Sequence, residues 1–267
     1  YQPMGDQLEV MFTILMAAVG EGWQTGVALD ASLSMRSAYG KTLTGKPPAD
    51  LLQWYQQQGW VNRLKDDGIA RIVLTPEAIK DAIRKGHLLP GKNIIEPEAR
   101  KFVQYLAEHL DADGGTTVIY WACGSGNQIE VLGDVRAEQC PTLAIKGPKQ
   151  VAFGQGTCLL PALQYFDQRF ADAPNGLYIF ITDGRIDDLS AVESYSIDLA
   201  QRIANGSRHP LKAVLIGLGA DIDEAQMIAL DDLDTGTEVD IWDHKIAADM
   251  REITEIFAEL VTDTMMV

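Results

Sequence analysis

Residues 26–30 read Gly-Val-Ala-Leu-Asp, and residues 31–34 continue Ala-Ser-Leu-Ser. A short apolar run that stops abruptly at a polar cluster is the pattern of a buried parallel strand, whose two faces are both covered. In open parallel sheets ligands bind outside the carboxyl ends of the strands, so Asp30, Ser32 and Ser34 fall where chemistry is expected.

Working outward, four further runs read the same way: Thr117–Cys123, Gln128–Val135, Leu177–Thr182 and Leu211–Gly217. Glu238–Trp242 is a sixth candidate. Gln128–Val135 alternates in polarity, as an edge strand does. Between the runs lie helical spacings at Pro97–Leu110, Leu159–Phe170, Leu189–Ala204, Asp223–Leu230 and Ala247–Val261. Pro97 suits a first helical position, with Phe102, Val103, Leu106 and Leu110 forming one apolar stripe behind it. Strands alternating with amphipathic helices predict an α/β fold: a doubly wound, mostly parallel sheet with helices on both faces.

The segment from Ser37 to Ile95 breaks this rhythm. It opens on Gly40, Gly45, Pro47 and Pro48, then offers a helical stretch near Asp50–Leu64 with Trp54, Tyr55 and Trp60. A second helix, Ala78–Lys85, is started by Thr75-Pro76-Glu77 and stopped by Gly86. The expectation is a single domain over 1–267 with a helical insertion at 37–95.

Three separate loops supply oxygen ligands to one face. Beside Asp30, Ser32 and Ser34 stand Gly154-Gln155-Gly156-Thr157, which precedes a helical run, and Asp183-Gly184, which ends an apolar strand. Hydroxyls and carboxylates suit a hard cation such as Mg²⁺, which takes oxygen ligands and keeps several waters. A soft metal would require sulfur or imidazole.

The order DxSxS, a glycine-flanked Thr and an apolar strand ending in TDG resembles the metal-ion-dependent adhesion site of von Willebrand factor A (vWA) and integrin I domains. The resemblance runs from about Thr25 to Val261, interrupted by the insertion, and Met35 and Gly184 match it too. It implies that Ser32 and Ser34 coordinate the ion directly and that Asp30 and Asp183 act mainly through water. Thr157 would bind directly or through water, and a partner's carboxylate would complete the shell. Mn²⁺ or Ca²⁺ could replace Mg²⁺. Intracellular bacterial vWA proteins, including a tellurite-resistance and stress-associated group, usually serve in multi-protein assemblies, which implies a scaffold or adaptor rather than an enzyme. Neutral hydroxyls leave an ion's charge poorly neutralised, so it would still attract an external anion. Asp30 and Asp183 would repel one another without it, so binding should stabilise the fold.

The composition sets bounds on partners. Hydrophobic residues make up 46% and charged residues 22%, as in a globule with an ordinary core. A formal charge of −16 disfavours nucleic acid, whose binding requires a basic stripe. Leu8–Val19 is too short for a membrane span and has no basic residues before it, and it predicts a core helix. Cys123, Cys140 and Cys158 form neither a disulfide framework nor a zinc motif, which fits a reducing, cytoplasmic setting. The chain starts at Tyr1 rather than Met, as a trimmed chain would.

Other features read as structure. Asp111-Ala112-Asp113-Gly114 starts like a calcium loop but has Gly115 at the third ligand position, so it predicts a turn. Gly124-Ser125-Gly126-Asn127 has no phosphate-loop lysine and predicts a turn as well. His87, His109, His209 and His244 are scattered, giving no hydrolase triad. The three cysteines read as packing residues, although Cys158 adjoins a helix start, which can lower a thiol pKa. Asp187-Asp188, Asp221 and Asp223 read as caps and loop formers. Two rival functions stand beside the interaction module: a metal-assisted phosphoester hydrolase with Asp183 as base, and an insertion that itself binds the partner through Trp54, Tyr55 and Trp60.

Overall fold

The computed structural model describes residues 22–66, 69–218 and 222–247. The chain is mixed α/β, built on a six-stranded, mostly parallel sheet. The strands are β1 (Trp23–Asp30), β6 (Gly115–Cys123), β7 (Gln128–Arg136), β8 (Asn175–Thr182), β9 (Leu211–Gly217) and β10 (Trp242–Ile246), in spatial order β10-β9-β8-β1-β6-β7. β7 alone is antiparallel and lies at the edge, as its alternating polarity predicts. β1 sits between β6 and β8, so the strand order reverses beside it, and its carboxyl end lies at the kind of switch point where open α/β sheets bind ligands.

Both faces of the sheet carry an apolar layer. On one face Val27, Leu29, Val118, Tyr120, Ile179 and Val214 pack with Phe102, Val103 and Leu106 of α3 (Ile95–His109). On the other, Ala28, Ile119, Trp121, Tyr178, Phe180 and Leu215 meet α4 (Leu160–Arg169), α5 (Leu189–Ala204) and α6 (Glu224–Asp231). The period of two along each strand explains the division, since neighbouring side chains point to opposite faces.

Three expectations need correction. β10 begins at Trp242, where the expected strand Glu238–Trp242 was to end, and only Trp242 of its five residues is buried. α3 starts two residues before Pro97; the cap comes from Asn93, whose Oδ1 accepts from the Glu96 N–H at 3.0 Å. Segment 37–95, expected to be a helical insertion, is not purely helical. It holds α1 (Ala49–Gln57) and α2 (Pro76–Arg84), but also a ribbon of β2 (Leu43–Gly45) with β5 (Leu88–Pro90), and a hairpin of β3 (Val61–Asp66) with β4 (Ile69–Leu74). Its own small core joins Tyr55, Ala78, Ala82 and Leu88, with Trp60 packed against it. Tyr55 is therefore a core residue rather than a surface ligand, and Lys85 covers the Trp54 ring, 5.0 Å from its centroid.

The helix expected at Leu8–Val19, the one expected to run past Ala247 to Val261, and Asp221 lie outside the described residues. Among the described residues no helix is long and apolar enough to cross a membrane.

Candidate metal centre

Asp30 is the last residue of β1 and is fully buried. Its Oδ1 accepts from the Ser32 backbone N–H at 2.7 Å and its Oδ2 accepts from the Thr182 hydroxyl at 2.6 Å. The first bond folds the chain back on itself, placing Ser32 beside the strand end. The second ties β1 to β8. Tyr39 closes the turn from below, its hydroxyl donating to the Asp30 carbonyl at 2.9 Å.

From there a chain of oxygens leads outward. The Ser32 and Ser34 hydroxyls are 2.9 Å apart, and Ser34 donates to Asp183 Oδ1 at 2.9 Å. Because Ser34 uses its proton on Asp183, Ser32 is the donor to Ser34. Ser32 is nearly buried, whereas Ser34 is exposed, so the chain runs from core to surface.

The third loop is held alongside. Gly154 pairs with Ser32, its N–H donating to the Ala31 carbonyl and its carbonyl accepting from Leu33 N–H, each at 2.8 Å. A side chain at Gly154 would put Cβ 1.7 Å from the Ala122 carbonyl oxygen, so glycine is required there. Three residues on, Thr157 is nearly buried. Its N–H donates to Asp187 Oδ2 at 2.8 Å, and its carbonyl accepts from Asp187 N–H at 2.9 Å. Asp30, Ser32, Ser34 and Asp183 are thus linked by hydrogen bonds at two adjacent strand ends, while Thr157 stands on the neighbouring loop outside that chain of bonds.

Supporting residues surround this chain of bonds. Thr182, the first residue of the TDG motif, ends β8. Glu130, on β7, accepts the backbone N–H groups of Lys149, Gln150 and Val151 at 2.7–3.0 Å, pinning the loop that leads to Gly154. Burial works against its charge, but those bonds hold its carboxyl below the ordinary value. Asp188 accepts from Leu159 and Leu160 N–H, capping α4 rather than its own helix α5. A lone edge-strand Glu looks like a solvated charge until the loops are placed, whereas Asp187 and Asp188 are the cap and loop formers that the sequence suggests.

Electrostatics follow from burial. Loss of water pushes the Asp30 carboxyl up to about 6, against the opposing hydrogen bonds from Thr182 and Ser32, and the Asp183 charge adds to the rise. Burial, with Asp188 and Asp187 nearby, raises the Cys158 thiol, the reverse of what its helix-start position suggests. Asp111 takes the N–H groups of Thr25, Asp113 and Gly115, so Asp111–Gly114 is a turn. Gly124–Asn127 is the turn between β6 and β7.

The donor set is all oxygen. Among the described residues no three His, Cys, Asp or Glu side chains gather as a metal cluster, so hydroxyls would have to be central to any cation site here. Such a set fits a hard divalent ion and gives no support to zinc or copper. Neither a protein-family model nor a curated protein matches this chain.

Proposed function

We propose that the chain is a vWA-type, doubly wound domain whose Asp30, Ser32, Ser34, Thr157 and Asp183 hold Mg²⁺ as a docking point for a partner's carboxylate. One observation carries this reading: the oxygen chain from buried Asp30 and Ser32 through Ser34 to Asp183, at the carboxyl ends of adjacent β1 and β8. Bound there, the ion supplies a positive charge that neutral hydroxyls leave largely uncompensated.

The protein's own residues do the rest. Thr182 and the Ser32 N–H fix the Asp30 carboxylate, so its orientation is set before any ligand arrives. Ser32 and Ser34 present hydroxyl oxygens whose protons can turn away from an ion. Pre-set donors reduce the ordering cost of binding. The reading makes the protein a binding module, acting as a scaffold or adaptor inside the cell, and assigns it no reaction.

Capture of partners from extracts of the source organism on immobilised protein, with Mg²⁺ or with EDTA, tests it. Partners should be retained only with Mg²⁺ and lost with Ser32→Ala. Equal capture in EDTA overturns the reading.

A further inference from the structure

At the end of the sheet opposite the candidate metal centre lies a cleft of about 420 Å³, walled by β1, β6, β7 and the last turn of α4. Gln24 marks its place on β1, six residues before Asp30 and so about 20 Å from it. Its floor is Gly115, which opens β6 and pairs with Arg136 on β7. A Cβ at Gly115 would meet nothing nearer than the Arg136 Cγ at 3.7 Å, and Gly115 has no positive φ. The register with β7 is regular from Gly115 to Val118, so no bulge claims the residue either. Gly26, on β1 beside Thr117, differs: a Cβ there would fall 2.4 Å from the Phe166 ring. Glycine weakens a strand, and one that neither packing nor backbone geometry demands marks a close approach from outside.

The walls around that floor are fixed by hydrogen bonds. On the β1 side the Ala112 N–H donates to the Trp23 carbonyl at 2.9 Å, and Asp111 accepts from the Thr25, Asp113 and Gly115 N–H groups. Gln24 Nε2 then donates to Asp113 Oδ2 at 3.0 Å. On the β7 side the Arg136 N–H donates to Gln139 Oε1 at 2.8 Å. Between them Arg169 donates to Thr117 Oγ1 at 3.0 Å and to Asp134 at 2.7 Å, and lies over the Phe170 ring, 5.4 Å from its centroid. Two carboxylates and two guanidiniums therefore line the cleft. Asp134 and Arg169 neutralise one another. Asp113 and Arg136, on either side of Gly115, form no ion pair with each other.

We infer that this cleft binds a small zwitterion over Gly115, with its carboxylate toward Arg136 and its ammonium toward Asp113. The arrangement of charge selects the class. A lone anion drawn to Arg136 is repelled by Asp113, and a lone cation drawn to Asp113 is repelled by Arg136; a molecule carrying both charges is attracted by both walls. The volume suits a molecule of amino-acid or dipeptide size, and walls already fixed reduce the ordering cost of binding it. Free amino acids and the joined termini of a short peptide carry the same chemistry. The site stands apart from the metal centre and does not depend on it.

Amide NMR of the full chain tests it, with serine and glycylglycine as zwitterions and acetate and methylammonium as carriers of one charge each. At millimolar concentration in EDTA, at least one zwitterion should shift the Gly115, Thr117 and Arg136 amides, and whichever binds tighter identifies the source as a free amino acid or a peptide. Acetate and methylammonium should bind about tenfold or more weakly. Asp113→Asn and Arg136→Gln, both at exposed positions, should each weaken zwitterion binding by about tenfold or more. Gly115→Val should abolish it while leaving the urea midpoint equal to or above wild type, because a β-branched residue suits a strand. A lower midpoint means that the fold itself demands glycine and overturns the argument from the floor. Absence of shifts with both zwitterions, equal binding of acetate or methylammonium, or binding unchanged in Asp113→Asn and Arg136→Gln overturns the site. Shifts that need Mg²⁺ and fall on the Ser32 and Thr157 amides assign the carboxylate to the metal centre and overturn the cleft.

Discussion

Gly154→Ala is the smallest change that sets the three loops against one another. The added methyl would lie 1.7 Å from the Ala122 carbonyl oxygen and 2.7 Å from its carbon, whereas ordinary contact begins near 3.4 Å. Both obstacles are backbone, and Ala122 already holds a positive φ of 55°, so neither can swing aside as a side-chain tip could. Relief requires the 154 segment to retreat, which stretches both 2.8 Å hydrogen bonds that hold it to Ala31 and Leu33. Two backbone hydrogen bonds contribute about 1 kcal/mol each, and forcing a methyl into a packed site costs about 1–3 kcal/mol. The variant should therefore lose about 3–5 kcal/mol of stability, a large share of the ~5–15 kcal/mol of a typical fold. Urea unfolding followed by tryptophan fluorescence reads this directly, with a lower midpoint and an unchanged slope. An unfolding free energy within about 0.5 kcal/mol of wild type would refute the reasoning, because the loop carrying Thr157 could not then lie against the Ser32 strand end.

Other consequences are equally open to measurement. Thr182→Val removes the donor to a buried carboxylate and should cost about 1.5–3 kcal/mol by the same unfolding assay; a neutral result would mean that Asp30 is not held by β8. Asp167 is nearly buried and accepts from Tyr195, Arg202 and Arg208, which outweigh desolvation and hold its carboxyl below the ordinary 3.8. A depressed folded value means that its stabilisation is fully present above 3.8 and is lost as pH falls below it. Asp167→Asn should therefore cost about 3–5 kcal/mol at neutral pH, since it strands the buried Arg208, and should flatten the acid limb of a stability–pH curve; an unchanged acid limb refutes this. Mg²⁺ at a hundredfold over its dissociation constant should stabilise the fold by about 2.7 kcal/mol, and an unfolding midpoint indifferent to Mg²⁺ would contradict it.

Much of the sheet is legible because buried parallel strands leave long apolar runs, as in Leu177–Thr182 and Leu211–Gly217. β10 is harder to read because it is an edge strand reading Trp-Asp-His-Lys-Ile, in which burial selects only Trp242. The apolar pattern therefore points a few residues too early. The hairpin of β3 and β4 does have a signal, Asp67-Gly68 between two runs, but Trp54, Tyr55 and Trp60 draw the eye to a helix continuing through Val61. Asp30, Ser32, Ser34 and Asp183 stand out because their oxygens come from strand ends, and the strand order brings those ends together. Glu130 does not stand out, since it acts through backbone N–H groups distant in sequence; Thr182 is legible as part of TDG and Asp188 as a cap, but the partners they take are supplied only by the closed fold.

Calorimetric titration of Mg²⁺ into metal-free protein at neutral pH is the most direct test of the central claim. A single ion should bind per chain, and Ser32→Ala and Asp183→Asn should each weaken it by about tenfold or more. Absence of binding by Mg²⁺ and Mn²⁺ at millimolar concentration, or equal affinity in wild type and both variants, would contradict the assignment of this strand-end oxygen chain as a metal centre.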